Sequence, residues 1–326
     1  MTTDSVRVLD GGALTTIQDA YGRIGYERHG VPACGACDAW SARLANRLVG
    51  NDDNSGALEA TLAGPTLRFD LAEPRGVAIA GADLGARLDG LSVAPGQARM
   101  ARPGSLLRFA GRVAGMRAYI AVAGGIEADR LLGSVATDLR SRFGGLGGRP
   151  LRADDPLVLG SDPNHGLYGL IPYAPASGPI RVLAGPHLDR FVDDALDALC
   201  GSTWTVSRAA DRTGLRLEGS RIQHAPRGAE VASLGLPAGA VQVPPDGLPI
   251  VMLADRPVTG GYAVLACVAR ADLPRLAQLG PGDPVRFGAI RADEAIAALR
   301  RLEEELQALE PVIGDGRDAS WAGWLG

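Results

Sequence analysis

Short runs rich in Val, Ile, Leu and Phe recur along the chain, and most are closed within a few positions by glycine, proline or a charged residue. This rhythm, spaced too tightly for repeated strand–helix–strand units, is how a β-barrel or sandwich reads. It predicts strands over Val6 to Leu9, Val77 to Ala80, Leu106 to Phe109, Ala118 to Val122, Pro156 to Leu159, Ile180 to Leu183, Trp204 to Ser207, Leu215 to Leu217, Ala240 to Val243, Ile250 to Leu253, Tyr262 to Val268 and Val285 to Phe287. Four stretches carry the helical period instead. Asp38 to Leu48 opens on an aspartate, places Trp40, Leu44, Ala45 and Leu48 on one face and stops at Gly50. His187 to Leu199 aligns Leu188, Phe191, Val192, Leu196 and Leu199, Asp272 to Leu279 is short, and Asp293 to Leu309 is charged and amphipathic. The fold class expected is mainly β with a few helices, in two β-barrel-like subdomains.

A short echo supports duplicated β architecture. "RPGSLLRFAG" at 102–111 and "GPGDPVRFGA" at 280–289 share Pro-Gly, an apolar residue and Arg-Phe, and "ADDPLVLGS" at 153–161 is a looser version. Each reads as a turn feeding a strand. Proline, glycine and serine concentrate in "SDPNHGLYGLIPYAPASGP" at 161–179, which marks a boundary. The division expected is 1–175 for an N-terminal β subdomain with the helix at 38–49, 176–290 for a β-barrel subdomain, and 291–326 for a C-terminal helix and tail.

Composition narrows the function classes. A net charge of −4 argues against a nucleic-acid surface, which needs clustered positive charge. No apolar run approaches a bilayer span and no basic-then-apolar start is visible, so a cytoplasmic location is expected. All 33 cationic side chains are arginine. Without lysine there is no G-x-x-x-x-G-K-[ST] phosphate loop, no Schiff base, and no attachment point for biotin or lipoate.

Four stretches hold candidate chemistry. Cys34 and Cys37 have the spacing of a zinc knuckle or a redox dithiol, but Cys200 and Cys267 are isolated and a strand–helix–strand context is lacking. The pair reads as small apolar filler in a tight turn, and no metal set is expected. "RFGGLGGRPLR" offers Gly144, Gly145, Gly147, Gly148 and Arg149 to an anion, with a flexible surface loop as the plainer reading. "SRAADRTGLRLEG" places Arg212 and Arg216 near a turn. "VQVPPDGLPIVMLADRPVTGGY" sets Gln242, Asp246, Asp255, Arg256, Thr259 and Tyr262 at the two ends of an apolar strand, where turn caps and surface ion pairs are the plainer reading.

Taken in order, these stretches resemble one family. "LTTIQDAYGRIGYERHGVPACGACDAWSARLANRLVGN", "ALEATLAGPTLRF", "MRAYIAVAGGI", "GSVATD", "GGLGGRPL", "LAGPHLDRF", "DRTGLRLEG" and "AVQVPPDGLPIVMLADRPVTGGY" are together similar to the biotin-dependent carboxyltransferase family, which also goes by allophanate hydrolase subunit 2, Kip-type antagonist and the C component of 5-oxoprolinase. Cys37 departs from that pattern by standing where an apolar residue such as Met is usual, and Cys34 stands where a small one is.

The resemblance implies a cyclophilin-like barrel in the second part and a partner equivalent to the B component of 5-oxoprolinase, in a heterodimer or heterotetramer. It also implies ATP with Mg, shared with that partner, for opening 5-oxoproline to glutamate with a third component. Asp38, Asp255, Asp246 and Gln242 become catalytic candidates. Arg23, the four loop glycines, Arg149, Arg212, Arg216, Arg256, Thr259 and Tyr262 become binding candidates for nucleotide or substrate carboxylate, and Asp19, His29, Arg117 and Tyr119 match further motif positions. Two alternatives stay open: a carboxyltransferase moving a carboxyl group from carboxybiotin, carried on another chain, to urea or a similar amide, and a non-catalytic Kip-type binding protein.

Overall fold

The computed structural model describes residues 4–161 and 177–308, so most of the expected boundary at 161–179, and Leu309, lie outside the described residues. Two compact units are formed, one from 4–20 and 40–161, the other from 21–39 and 177–308. The expectation of a mainly β protein with few helices is met, and every strand predicted above lies on an observed one, although the run at 262–268 breaks at Ala263 into Thr259–Tyr262 and Val264–Val268.

The first unit is built from two antiparallel sheets. One runs Pro156–Val158, Ser5–Asp10, Thr66–Asp70, Leu106–Phe109, Ala86–Leu88 and Leu91–Ser92; the other runs Leu14–Gln18, Ala57–Thr61, Ala114–Val122, Arg75–Asp83 and Gln97–Ala101. Val8, Leu67, Phe69 and Leu107 of the first share one core with Ile17, Leu58, Ile79 and Ile120 of the second. Two strands that the apolar pattern missed, Leu14–Gln18 and Ala57–Thr61, place Ile17 and Leu58 in this core and turn buried Thr16, Gln18 and Glu59 to the other face of their sheet. Glu59 accepts a 2.7 Å hydrogen bond from Tyr119 Oη and lies 3.7 Å from Arg117, which gives the "RAY" motif a structural role. Helix α1, Ala39–Leu48, buries Trp40, Leu44, Ala45 and Leu48 as its period predicted.

The second unit is a closed seven-stranded barrel in the order Ile180–Ala184, Val264–Val268, Ala240–Gln242, Ile250–Met252, Gly214–Glu218, Thr203–Val206 and Pro284–Ala289. Only the closing pair, Ile180–Ala184 with Pro284–Ala289, is parallel. Trp204, Leu215, Val241, Val251, Leu265 and Phe287 fill the interior, and the indole N–H of Trp204 donates to Leu199 O at 3.0 Å. A two-stranded ribbon, Glu230–Gly235 with Thr259–Tyr262, stands outside the barrel ladder.

The single helix expected over His187 to Leu199 is corrected. A 3-10 turn, Leu188–Arg190, ends at Phe191, and helix α2 begins only at Ala195 and runs to Gly201. Phe191 is extended (φ −121°, ψ 164°) and bridges His224, which puts its ring in the core against the imidazole at 4.9 Å. Core packing overrides the helical period here. Helix α3, Leu273–Ala277, follows a 3-10 turn at Arg270–Asp272, and helix α4 spans Ala292–Gln307. No helix among the described residues is long and apolar enough to cross a membrane.

The echoed turns share one device. Ser105 N, Asp155 N and Asp283 N donate to the carbonyls three residues back, while Gly104, Asp154 and Gly282 take φ of 83°, 71° and 88°. The fourth side chain of each turn then accepts from the first amide: Ser105 Oγ from Arg102, Asp155 Oδ2 from Arg152, and Asp283 Oδ2 from Gly280. This is a type II pattern closed by a side-chain cap.

Candidate functional site

The second unit gathers motif residues from both ends of the chain. Segment 21–39 folds back on itself: Arg23 N donates to Ala33 O at 2.8 Å, and Gly22 and Gly35 adopt φ of 65° and 83° where the two arms touch. A Cβ on Gly35 would lie 2.7 Å from Gly22 N, and one on Gly22 would collide with the Ala33 carbonyl. Only glycine fits either position. Gly22→Ala is therefore expected to cost about 2–4 kcal/mol, as left-handed strain plus overlap, read as a lower denaturant midpoint.

The segment is tied to the barrel through Arg212. Its Nε and Nη2 grip the two oxygens of Asp255, both at 2.8 Å, and Nη2 also donates to Gly35 O at 2.8 Å. Asp211 Oδ1 accepts from Thr213 N and Gly214 N, which shapes the turn that carries Arg212, and Asp255 N donates to Arg212 O. Such a fork-to-carboxylate pair fixes both side chains in one geometry. A second tie joins Asp38 Oδ2, which accepts from Gln278 Nε2 at 2.8 Å at the end of α3; Cys37 packs with Ala254 and Ala277.

Arg256, next to this pair, is differently placed. Its Nε donates to Leu236 O at 2.7 Å, while Glu27 lies 3.9 Å from Nη2, outside hydrogen-bonding range. The side chain is only 13% exposed, and burial holds its guanidinium below the usual arginine range, with Glu27 and Cys34 only partly compensating. Gln242 ends its strand at a bulge, is 4% exposed, and donates from Nε2 to Tyr262 O at 3.1 Å. Bulges re-aim side chains in this way. Gly260 leaves room for it: a Cβ there would lie 2.5 Å from Leu236 Cδ1 and 2.6 Å from Gln242 Nε2.

Of the residues singled out in the sequence, Asp38, Arg212, Gln242, Asp255, Arg256, Thr259 and Tyr262 thus fall in this unit, with Arg23 buried in the folded-back segment. Arg216 is exposed on its strand. Asp246 sits in an exposed turn and accepts from Leu248 N, a capping role. His29 is exposed and accepts from Arg28. In the first unit, Asp19 accepts from Val135 N.

The glycine loop of the first unit is stitched internally. Gly145 N donates to Val135 O, Gly148 N to Gly144 O and Gly147 N to the carboxylate of Asp129. Arg149 grips both oxygens of Asp155 at 2.7 Å. Amides spent on carbonyls and a carboxylate do not form a phosphate cradle, so this loop does not fit a nucleotide as it stands. Among the described residues no three His, Cys, Asp or Glu gather as a metal set, and none of the four cysteines forms a disulfide. Sequence reasoning missed Glu27, Gly35, Leu236 and Gln278; a glycine between two small residues was the sole visible signal, at Gly35.

Residues 29–289 match the model of the carboxyltransferase domain, subdomains A and B. The chain belongs to this family. As a carboxyltransferase-domain protein it is 38% identical over 294 residues to the C component of 5-oxoprolinase from Escherichia coli, covering 90% of this chain and 94% of that protein. It is 34% identical to the corresponding 5-oxoprolinase component of Haemophilus influenzae over 95% of this chain and 99% of the other. Among solved structures, urea carboxylase of Kluyveromyces lactis superposes with a TM-score of 0.86 at 29% identity, over 96% of this chain but only 30% of that one.

Proposed function

We propose that this chain is the C component of a 5-oxoprolinase, which opens 5-oxoproline to glutamate with ATP alongside the B component and a third protein. The observation that carries the reading is near end-to-end correspondence with proteins of that name, 94% and 99% of their lengths, against a 30% share of the urea carboxylase chain. Absence of lysine adds that this chain offers no point for biotin attachment.

The residues support a binding and positioning role for this component. Arg256 offers positive charge in a half-buried wall, where its pull on an anion exceeds that of an exposed arginine. Asp255 is held at both oxygens by Arg212, so it fixes the wall. Asp38, fully buried, accepts from Gln278 and ties the folded-back segment to the end of α3. With the glycine loop closed on itself, a partner protein is expected to supply the phosphate contacts.

Reconstitution tests the reading. Co-expressed with its partner components, the chain is expected to support glutamate release that needs both ATP and 5-oxoproline and resists avidin; a complete assembly without this activity, or one blocked by avidin, overturns it. Gly260→Ala is expected to lower turnover at least ~10-fold, since it displaces the Gln242 amide, while moving the melting temperature by no more than about 2 °C because only flexible side-chain ends must shift.

A further inference from the structure

We propose that Arg256 and Gln242 form one receptor for a cyclic amide carrying a carboxylate beside its ring nitrogen, with Arg256 taking the carboxylate and Gln242 the amide edge. This deepens the 5-oxoprolinase reading and rests on it for the choice of probe.

Arg256 is a half-buried cation of the second unit that no carboxylate among the described residues reaches within hydrogen-bonding distance, Glu27 standing 3.9 Å from Nη2. Arg212 is committed to Asp255, and Arg181 and Arg275 to Asp272. Arg227 and Arg291 pair with Asp189 and Asp293 at the surface. Arg256 spends only Nε, on a backbone carbonyl, and the described residues offer its two terminal nitrogens no acceptor within hydrogen-bonding distance. Those nitrogens form the fork that matches a carboxylate. A cation withdrawn this far from water is stabilised by an arriving anion.

Gln242 supplies the complementary half. One Nε2 proton is fixed on Tyr262 O, and no donor among the described residues reaches Oε1. The side chain therefore keeps one acceptor and one donor. A lactam presents N–H and C=O on one edge, the reciprocal pair.

Leu236 places both groups on one wall. Its carbonyl holds Arg256 Nε, and its Cδ1 and the Gln242 Nε2 both approach the point where a Gly260 side chain would begin, at 2.5 and 2.6 Å. A Cβ on the next residue, Gly261, would make only ordinary contacts, 3.6 Å to Val231 O and 3.8 Å to Ser233 Oγ. The carboxylate contact separates lactam acids from urea, which has no charge to offer.

The test compares 5-oxoproline with 2-pyrrolidinone, the same ring without the carboxylate, by calorimetric binding to the purified assembly. Wild type is expected to prefer the acid by ~10- to 100-fold, the range of a hydrogen-bonded charge contact. Arg256→Gln should collapse that preference to about one while leaving 2-pyrrolidinone binding unchanged, and Arg256→Lys should keep part of it, because charge remains but the fork does not. Gln242→Leu should weaken both ligands by the same factor. No preference in wild type, or a preference that neither Arg256 variant moves, overturns the assignment. Selective binding without ATP-dependent glutamate release defeats the functional reading and leaves this site standing; turnover with an Arg256-independent preference does the reverse.

Discussion

Replacing Arg212 by glutamine is expected to destabilise the second unit by about 3–5 kcal/mol, because Asp255 is left charged, largely buried and without its counterion. For a unit of this size that is a fall of roughly 10 °C in melting temperature. The loss is larger than for any surface pair here, since one guanidinium holds Asp255 at two points and the folded-back segment at Gly35 O. Two ends of the chain, 177 residues apart, meet at that carbonyl.

Differential scanning calorimetry of Arg212→Gln, Asp255→Asn and the apolar double replacement Arg212→Met with Asp255→Leu separates the terms. The singles should both fall, and the double should recover much of the loss, since it removes the stranded charge together with its partner. A double variant as unstable as the sum of the singles would mean that shape, not charge, holds the junction. Turnover should fall in all three: Gly35 O loses its donor in the two variants that lack Arg212, and Asp255→Asn loosens the residue that directly precedes Arg256 in the chain.

This junction also shows how far the sequence can be read. Barrel strands such as Ile180–Ala184 and Val264–Val268 were legible because apolar side chains alternate or run together and glycine or proline closes them. Leu14–Gln18 and Ala57–Thr61 were not, since polar side chains interrupt their apolar pattern and the buried Gln18 and Glu59 are held by distant partners, Thr137 O and Tyr119. For the site, residue types pointed to arginine and carboxylate but not to their pairing. Arg149 and Arg256 read alike as anion ligands; Arg149 is neutralised by a carboxylate six residues away, whereas Arg256 meets only a backbone carbonyl closely. Gln278, bonded to Asp38 across 240 residues, carries no local signal at all. What decides a role here is which counterion the fold delivers, and that depends on contacts too distant for pattern or spacing to register.

Asp272 carries the other large effect, on stability and its dependence on pH. Its carboxylate is fully buried and accepts from Arg181 Nε at 3.0 Å, Arg181 Nη2 at 2.6 Å and Arg181 N at 2.7 Å, with Arg275 Nη1 at 3.2 Å. Arg275 also donates to Pro179 O and Gly178 O, so one aspartate organises the start of the first barrel strand and the entry to α3. Burial opposes its ionisation, but the Arg181 hydrogen bonds and the charges of Arg275 and Arg181 outweigh it and hold the carboxyl below the usual range. A carboxyl that titrates lower folded than unfolded adds stability that is fully present above the unfolded value, near 4, and is lost as pH falls through the folded one. Asp272→Asn should therefore cost about 3 kcal/mol at pH 7, where wild type has the ion cluster intact. That gap should narrow in acid as the wild-type carboxylate takes up its proton. Urea midpoints of the two proteins measured from pH 7 down to pH 3 check the sign: a constant gap would show that Asp272 stabilises through hydrogen bonding alone, and a gap that widens in acid contradicts the ion cluster.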